Sequence, residues 1–288
     1  MSEGIVIVGP GRMGLALGAA LMRGGTVDWL IYQGRTQEPP PHPLFDAGDA
    51  RYVLGPAPVP EGTSMLILAV PDDALAEVAH TMARAGDAPA GCSAFHLSGA
   101  LSTDLLGPLH EAGYAVGSVH PLQTIADAWS GADRLAGASV AIAGEPSALA
   151  TARRLVNAIG GRAIVVPPTL RPLYHAAAVF ASNYLVAVTG LAVEMFRQAG
   201  VPEPDAVAAI LPLMRGTMKN LEDLGLSASL TGPVARGDVD TVRLHLSRLS
   251  GTERTLYCAL GLVTLRLARA AGLDEERAAD LESLLSTG

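Results

Sequence analysis

"GIVIVGPGRMGLALGAALMRGG", Gly4 to Gly25, opens as an apolar run and changes at residue 9 into a helical pattern. Ile5–Val8 reads as a buried strand, and from Met13 to Arg23 small and apolar residues recur at helical spacing. Between them Gly9, Gly11 and Gly14 stand in G-x-G-x-x-G register. After a strand and ahead of a helix, that register has a physical meaning. Gly9 permits the tight turn, Gly11 lets a pyrophosphate come against the backbone, and Gly14 lets helix and strand pack closely. The helix N-terminus then faces the anion. Pro10, Arg12 and Met13 complete the expected cofactor-binding loop.

An NAD site carries an Asp or Glu about 20 residues on, at the end of the second strand, for the ribose hydroxyls. That region reads "YQGRT", Tyr32 to Thr36, with no acid between Trp29 and Gln37. Arg35 and Thr36 suit a 2′-phosphate, so the expected cofactor is NADP rather than NAD; Arg35 as a plain solvated loop charge is the other reading. "LAVPDDAL", Leu68–Leu75, predicts a strand whose small end lets the cofactor pass over Ala69, Val70 and Pro71 before a helix capped by Asp72.

Working outward, short apolar runs alternate with helical patterns, which predicts an α/β fold: a Rossmann-type, doubly wound, mainly parallel sheet. The strands are Ile5–Val8, Trp29–Tyr32, Met65–Val70, Ser93–Leu97, Ala115–Val119, Ser139–Ala143 and Ala163–Val166. Helices fall at Met13–Arg23, Asp72–Ala85, Thr103–Ala112 (capped by Ser102) and Pro146–Ile159. The Pro-rich stretch Gly34–Gly48 reads as an irregular surface excursion. Beyond Pro167-Pro168 strand signals stop, and long helical runs follow at Leu173–Ala199, Pro204–Leu224, Val239–Leu249 and Glu253–Ala271, with a short helix from Asp274. Two domains are expected, 1–167 binding NADP and an all-helical 168–288 for substrate and dimerisation.

The 288 residues are 49% apolar, enough to fill a core in each domain. A net charge of −8 and no basic stripe argue against nucleic acid as a partner. Cys92 and Cys258 read as reduced core residues, with neither CxxC nor metal spacing, and no N-terminal signal pattern is seen; a cytoplasmic protein is expected. Leu173–Val193 has no formal charge and passes a rule of about 18 apolar residues for a membrane span. Its His, Ser, Asn, Tyr and Thr argue instead for a buried helix, with no membrane as partner.

Polar residues collect where the cofactor should end. "FHLSGAL" places Ser98 just past one strand, and "GSVHPLQT" places His120 just past the next. In a doubly wound sheet, ligands lie beyond the carboxyl ends of the strands. Hydride chemistry at a C–O or C–N bond needs a proton partner, and histidine is the common one. His120 is the candidate, while His96, one step inside its strand, reads as a packing residue. In a continuous helix at about 100° per residue, Ser182 sits about 20° from His175 and Asn183 about 80° away. His175 and Asn183 are thus candidate catalytic residues, with Ser182 a candidate substrate contact, unless all three serve a buried bundle. "LTGPVARGD", Leu230–Asp238, offers Thr231 and Arg236 as further substrate contacts, with Arg236 a carboxylate clamp. A surface turn with a capping Asp238 fits equally. A metal site from His96, His120 and His175 has no supporting spacing, so no metal is expected.

Assembled, the chain resembles the 6-phosphogluconate-dehydrogenase-like superfamily, which joins an N-terminal Rossmann domain to a helical C-terminal domain. "GSVHPLQ" is similar to the Gly-x-His-Pro motif of prephenate dehydrogenases; that likeness implies His120 as acid/base with Ser98 beside it. "VGPGRMG" and "LAVPD" resemble pyrroline-5-carboxylate and ketopantoate reductases. Across nearly its whole length, through "HLSGAL", "VHPLQT", "YHAAAVFASNYLVA" and "LTGPVARGD", the chain is similar to a family described as Rossmann-like with a C-terminal domain of unknown function (2520). The resemblance implies an NADP-binding oxidoreductase fold. One departure stands out: hydroxyisobutyrate-type and ketopantoate-type relatives place a catalytic Lys four residues before an Asn, where this chain has Val179 before Asn183. His175 is the candidate replacement. The expected function is an NADP-dependent oxidoreductase, reducing or forming a C=O or C=N on a small carboxylate-bearing substrate, as a homodimer through the helical domain. The alternative is a non-catalytic NADP sensor or scaffold.

Overall fold

The computed structural model describes residues 3–286. In chain order the strands are β1 (Gly4–Val8), β2 (Trp29–Gly34), β3 (Arg51–Leu54), β4 (Thr63–Leu68), β5 (Ser93–His96), β6 (Ala115–Pro121), β7 (Ser139–Gly144) and β8 (Arg162–Val165). The helices are α1 (Arg12–Arg23), α2 (Pro43–Asp46), α3 (Leu75–Ala85), α4 (Gly107–Glu111), α5 (Pro146–Ala158), α6 (Arg171–Ala181), α7 (Asn183–Gln198), α8 (Glu203–Ala228), α9 (Val239–Leu246), α10 (Gly251–Ala270) and α11 (Glu275–Ser286).

The strands form one sheet in the order β3-β2-β1-β4-β5-β6-β7-β8. Every pairing is parallel except β6 with β7. Interior strands are apolar on both sides because both faces are covered. Alternation sends Ile5 and Ile7 into a core with Leu17, Tyr32, Ile67 and Leu155, and Val6 into the opposite core with Leu66, Leu68, Ala79 and Leu109. The order reverses on either side of β1, which opens the ligand crevice of a doubly wound sheet between β1 and β4.

Several elements differ from the sequence reading. Arg51–Leu54 is an edge strand on β2 that the reading lacked; it is four residues long, with Val53 and Leu54 exposed. The Pro-rich stretch is not wholly a surface excursion, since His42 and Leu44 are buried and His42 caps α2. The cap of α3 also differs: a 3₁₀ turn at Asp72–Ala74 intervenes and Asp72 makes no cap bond. Ser102 does cap, accepting from the Asp104 amide, but what it caps is a 3₁₀ turn at Thr103–Leu106 ahead of a shorter α4.

The largest correction concerns the long apolar helix. It breaks at Ser182, whose backbone (φ −124°, ψ −72°) is not helical, giving α6 and α7 in place of one rod. By length and composition Pro168–Gln198 still passes as long and apolar enough to cross a membrane, but none of its most apolar window is buried. The expected buried helix is therefore not what this chain forms: Leu173, Val186 and Val188 stay exposed.

The first compact unit runs to Asn183 and the second begins at Tyr184, so α6 belongs with the sheet, past the expected hinge at Pro167-Pro168. Side-chain bonds described below hold it there. The second unit has its own core of Val234, Val242, Leu246, Cys258, Leu265, Ala278 and Leu281.

Candidate active site

The turn after β1 has the geometry its glycines predict. Gly9 sits at φ +102°, donates its amide to the Gln33 carbonyl at 2.9 Å, and would place any Cβ 2.5 Å from the Ala69 carbonyl oxygen. Gly11 precedes α1, which has no side-chain cap, and nothing lies within 4 Å of where its Cβ would be. That is open backbone beside free helix amides, the requirement for a phosphate. Gly14 is closed in: a Cβ there would run into the Gly9 carbonyl, and the Tyr32 hydroxyl donates to its carbonyl at 2.9 Å.

Beyond this turn opens a cleft of about 710 Å³, running from Gly9–Gly11 past Gly34–Thr36 to Ala69–Pro71 and the α3 residues Glu77 and Thr81. Arg12, Met13 and Gly14 are outside its lining; the Arg12 guanidinium instead donates to the Ala126 carbonyl at 3.4 Å. At the end of β2, the Gln33 side chain is turned to Ala57, donating to its carbonyl and accepting from its amide, both at 3.0 Å. The Thr36 hydroxyl donates to the Glu38 carbonyl at 2.8 Å. Arg35 is exposed and in no ion pair among the described residues, the one cation in a lining that also carries Asp73 and Glu77.

A hydrogen bond joins the two chain segments that lead from the cleft wall and to Gly99. The Ser98 hydroxyl, just past β5, donates to the Asp72 carboxylate at 2.8 Å, next to Pro71 in the cleft wall. The same oxygen accepts from the Ala100 and Leu101 amides at 3.2 and 3.1 Å, which organises the loop around Gly99. Three bonds leave Ser98 an architectural part more than a proton carrier.

His120 and His175 meet over Gly99. His120 lies within β6, paired with Ala141, and not past the strand end. Its ring centroid is 5.8 Å from that of His175 on α6, with the planes 76° apart. A Cβ on Gly99 would come 2.5 Å from His175 Nδ1 and 2.8 Å from His120 Nε2 and Cε1, so both imidazoles rest on that bare glycine. His120 Nδ1 is 2.9 Å from the Tyr174 hydroxyl, the rings edge to face. Arg171 is wholly buried; it donates to the carbonyls of Leu101, at 3.1 Å, and of Ser98. Arg171, Tyr174 and His175 are spaced i, i+3 and i+4, one face of α6, and these bonds tie α6 to the sheet.

Burial and the guanidinium charge set the protonation states. Burial, then the Arg171 and His175 charges, pull His120 down from 6.5 to about 4. Burial, then Arg171 and His120, pull His96 down to about 3. Burial raises the Tyr174 phenol, so it stays protonated. At neutral pH the His96 and His120 imidazoles are neutral. His96 accepts from the Ser98 amide at 3.2 Å through Nδ1, a packing role as expected. Several buried polar atoms lack a protein partner: His96 Nε2, Ser118 Oγ, Arg171 Nη1 and His175 Nδ1. His96 and Ser118 face each other across β5 and β6.

The remaining candidates are placed differently. The break at Ser182 cancels the helical phase that put Ser182 beside His175. Neither the Ser182 nor the Asn183 side chain makes a hydrogen bond among the described residues, and Asn183 is exposed. In the second unit, Asp238 caps α9 by accepting from the Thr241 amide at 3.0 Å and hydroxyl at 2.7 Å, as the surface-turn reading required. Thr231 and Arg236 are exposed on that turn. Arg171 and Tyr174 escaped the sequence reading, and Asp72, read as a helix cap, is instead the acceptor for Ser98; the available signal was a lone cation four residues before His175, at the head of an otherwise apolar helix.

Comparison with known proteins agrees with this architecture. Residues 1–121 match the Rossmann-like domain model. Residues 138–264 match the model of a domain of unknown function, DUF2520. No curated protein matches the sequence. A protein from Thermotoga maritima of solved structure is similar at TM-score 0.71 and 22% identity, covering 92% of this chain and 98% of that one. Pyrroline carboxylate reductase from Plasmodium falciparum, solved with NADP bound, has TM-score 0.59 and 14% identity over 96% of this chain and 97% of its own. Prephenate dehydrogenase from Aquifex aeolicus has TM-score 0.52 and 14% identity over 76% and 91%. At such identities the likeness is one of fold.

Proposed function

We propose that the protein is an NADP-dependent oxidoreductase that reduces a C=O or C=N, or forms one, on a small carboxylate-bearing substrate. The observation that carries this is the pair of imidazoles over Gly99, whose chain neighbour Ser98 is bonded to Asp72, itself next to Pro71 in the wall of the glycine-turn cleft. The nicotinamide cofactor, when bound, supplies or accepts the hydride. The chain's part is to hold the pyrophosphate on Gly9–Gly14, the 2′-phosphate at Arg35 and the reacting group at the histidines. In reduction, the heteroatom takes a proton from the histidine pair, which regains it from solvent. Fold neighbours solved with NADP support the cofactor assignment. Arg236 and Thr231 remain proposed substrate contacts on the second unit, and Ser182 and Asn183 at the end of the first.

A homodimer is part of the reading. On α7 and α8, Val186, Leu211, Leu213 and Met218 are exposed, an apolar surface that invites a second copy. Light scattering should return twice the monomer mass.

A substrate panel of small oxo and imino acids, followed by NADPH absorbance, tests the function. His120→Ala should abolish turnover and leave NADPH affinity within about twofold. Equal slow NADPH loss in both proteins with every substrate supports the sensor reading instead.

A further inference from the structure

The tyrosine beside His120 decides what that imidazole does. Tyr174 keeps its proton, and the only hydrogen-bond partner its hydroxyl has among the described residues is His120 Nδ1. Were Nδ1 the protonated nitrogen, it would donate to the phenol oxygen, and the phenol proton would need another acceptor. With the phenol donating, Nδ1 accepts, and a neutral imidazole then carries its hydrogen on Nε2. Nε2 is the atom that rests over Gly99 toward His175.

We propose that Tyr174 is a positioning residue that locks His120 as the neutral Nε2–H tautomer, a hydrogen-bond donor that polarises the substrate's C=O or C=N. The groups facing His120 support it. From α6 come the Arg171 guanidinium, whose charge disfavours imidazolium, the Tyr174 phenol and the His175 ring; from β5 comes His96. None is a carboxylate, so nothing on these elements stabilises a charged His120. A neutral imidazole donates a hydrogen bond without giving up its proton, which leaves proton transfer to His175. The assignment of this role rests on the oxidoreductase reading; the tautomer does not.

The test is long-range ¹H–¹⁵N NMR of the imidazoles in the full-length protein, without cofactor or substrate, with His120 assigned by the signal lost in His120→Gln. The expected spectrum shows an unprotonated Nδ1 and a protonated Nε2 for His120, unchanged from pH 8 to pH 5. Tyr174→Phe should mix the tautomers and raise the His120 midpoint by roughly one unit. A protonated Nδ1 in the wild-type protein overturns the proposal, and so does a Tyr174→Phe spectrum identical to it. If Tyr174→Phe does not fold, the wild-type spectrum alone decides. A failed substrate panel would remove the oxidoreductase reading without altering this spectrum.

Discussion

Gly99→Ala puts one methyl group between two imidazoles. The new Cβ would lie 2.5 Å from His175 Nδ1 and 2.8 Å from His120 Nε2, where ordinary contact starts near 3.4 Å, so the rings must retreat by about 0.6–0.9 Å. Gly99 is not in the left-handed region, so the backbone itself accepts alanine. His120 cannot swing away freely, because its Nδ1 is bonded to Tyr174, which sits on the helix anchored by Arg171. Overpacking of this size costs about 1–3 kcal/mol of stability. A displacement near 1 Å at reacting groups costs about 100-fold in rate. The assay is NADPH oxidation with any substrate the panel yields, alongside thermal unfolding and NADPH titration. The expected outcome is a folded protein, unchanged NADPH affinity, a moderately lowered Tm and turnover down by about two orders of magnitude. Wild-type turnover in a folded Gly99→Ala protein would refute the claim that chemistry occurs at the paired histidines.

Gly9→Ala should abolish NADPH binding in a titration, since the residue must keep φ +102° with a Cβ 2.5 Å from the Ala69 carbonyl. Arg35→Ala should weaken NADPH about tenfold or more and leave NADH unchanged, because it removes the uncommitted cation at the cleft rim. Stability should fall as pH drops from about 6.5 toward 4: the folded state keeps His96 and His120 neutral to about 3 and about 4, while the unfolded chain takes up protons near 6.5. His96→Asn, measured by denaturant unfolding at pH 7 and pH 5, should flatten that slope.

The glycine turn was legible because its conformational demands are local: three residues without Cβ, spaced between a strand and a helix, admit few other readings. The sheet followed, because apolar strands buried on both faces announce themselves. β3 was missed because an edge strand of four residues, half exposed, carries neither a continuous apolar run nor a clear alternation. The break at Ser182 is marked by no Gly or Pro. Ser182 and Asn183 are residues of modest helix propensity, a weak signal inside so apolar a stretch. Reading through it put Ser182 on the His175 stripe and Asn183 at its border. Arg171 and Tyr174 stayed hidden for another reason: their partners, Ser98, Leu101 and His120, lie some 50 to 70 residues earlier in the chain. His120 and His175 were visible singly, each from its own neighbourhood, and the structure joined them.

The most direct measurement is a crystal structure of the protein soaked with NADPH. Pyrophosphate density is expected against Gly9–Gly11, the 2′-phosphate at Arg35, and nicotinamide C4 on the side of the cleft nearest Ser98, His120 and His175. A nicotinamide ordered away from those histidines, or a cleft that takes up no dinucleotide at saturating concentration, would contradict the proposed function.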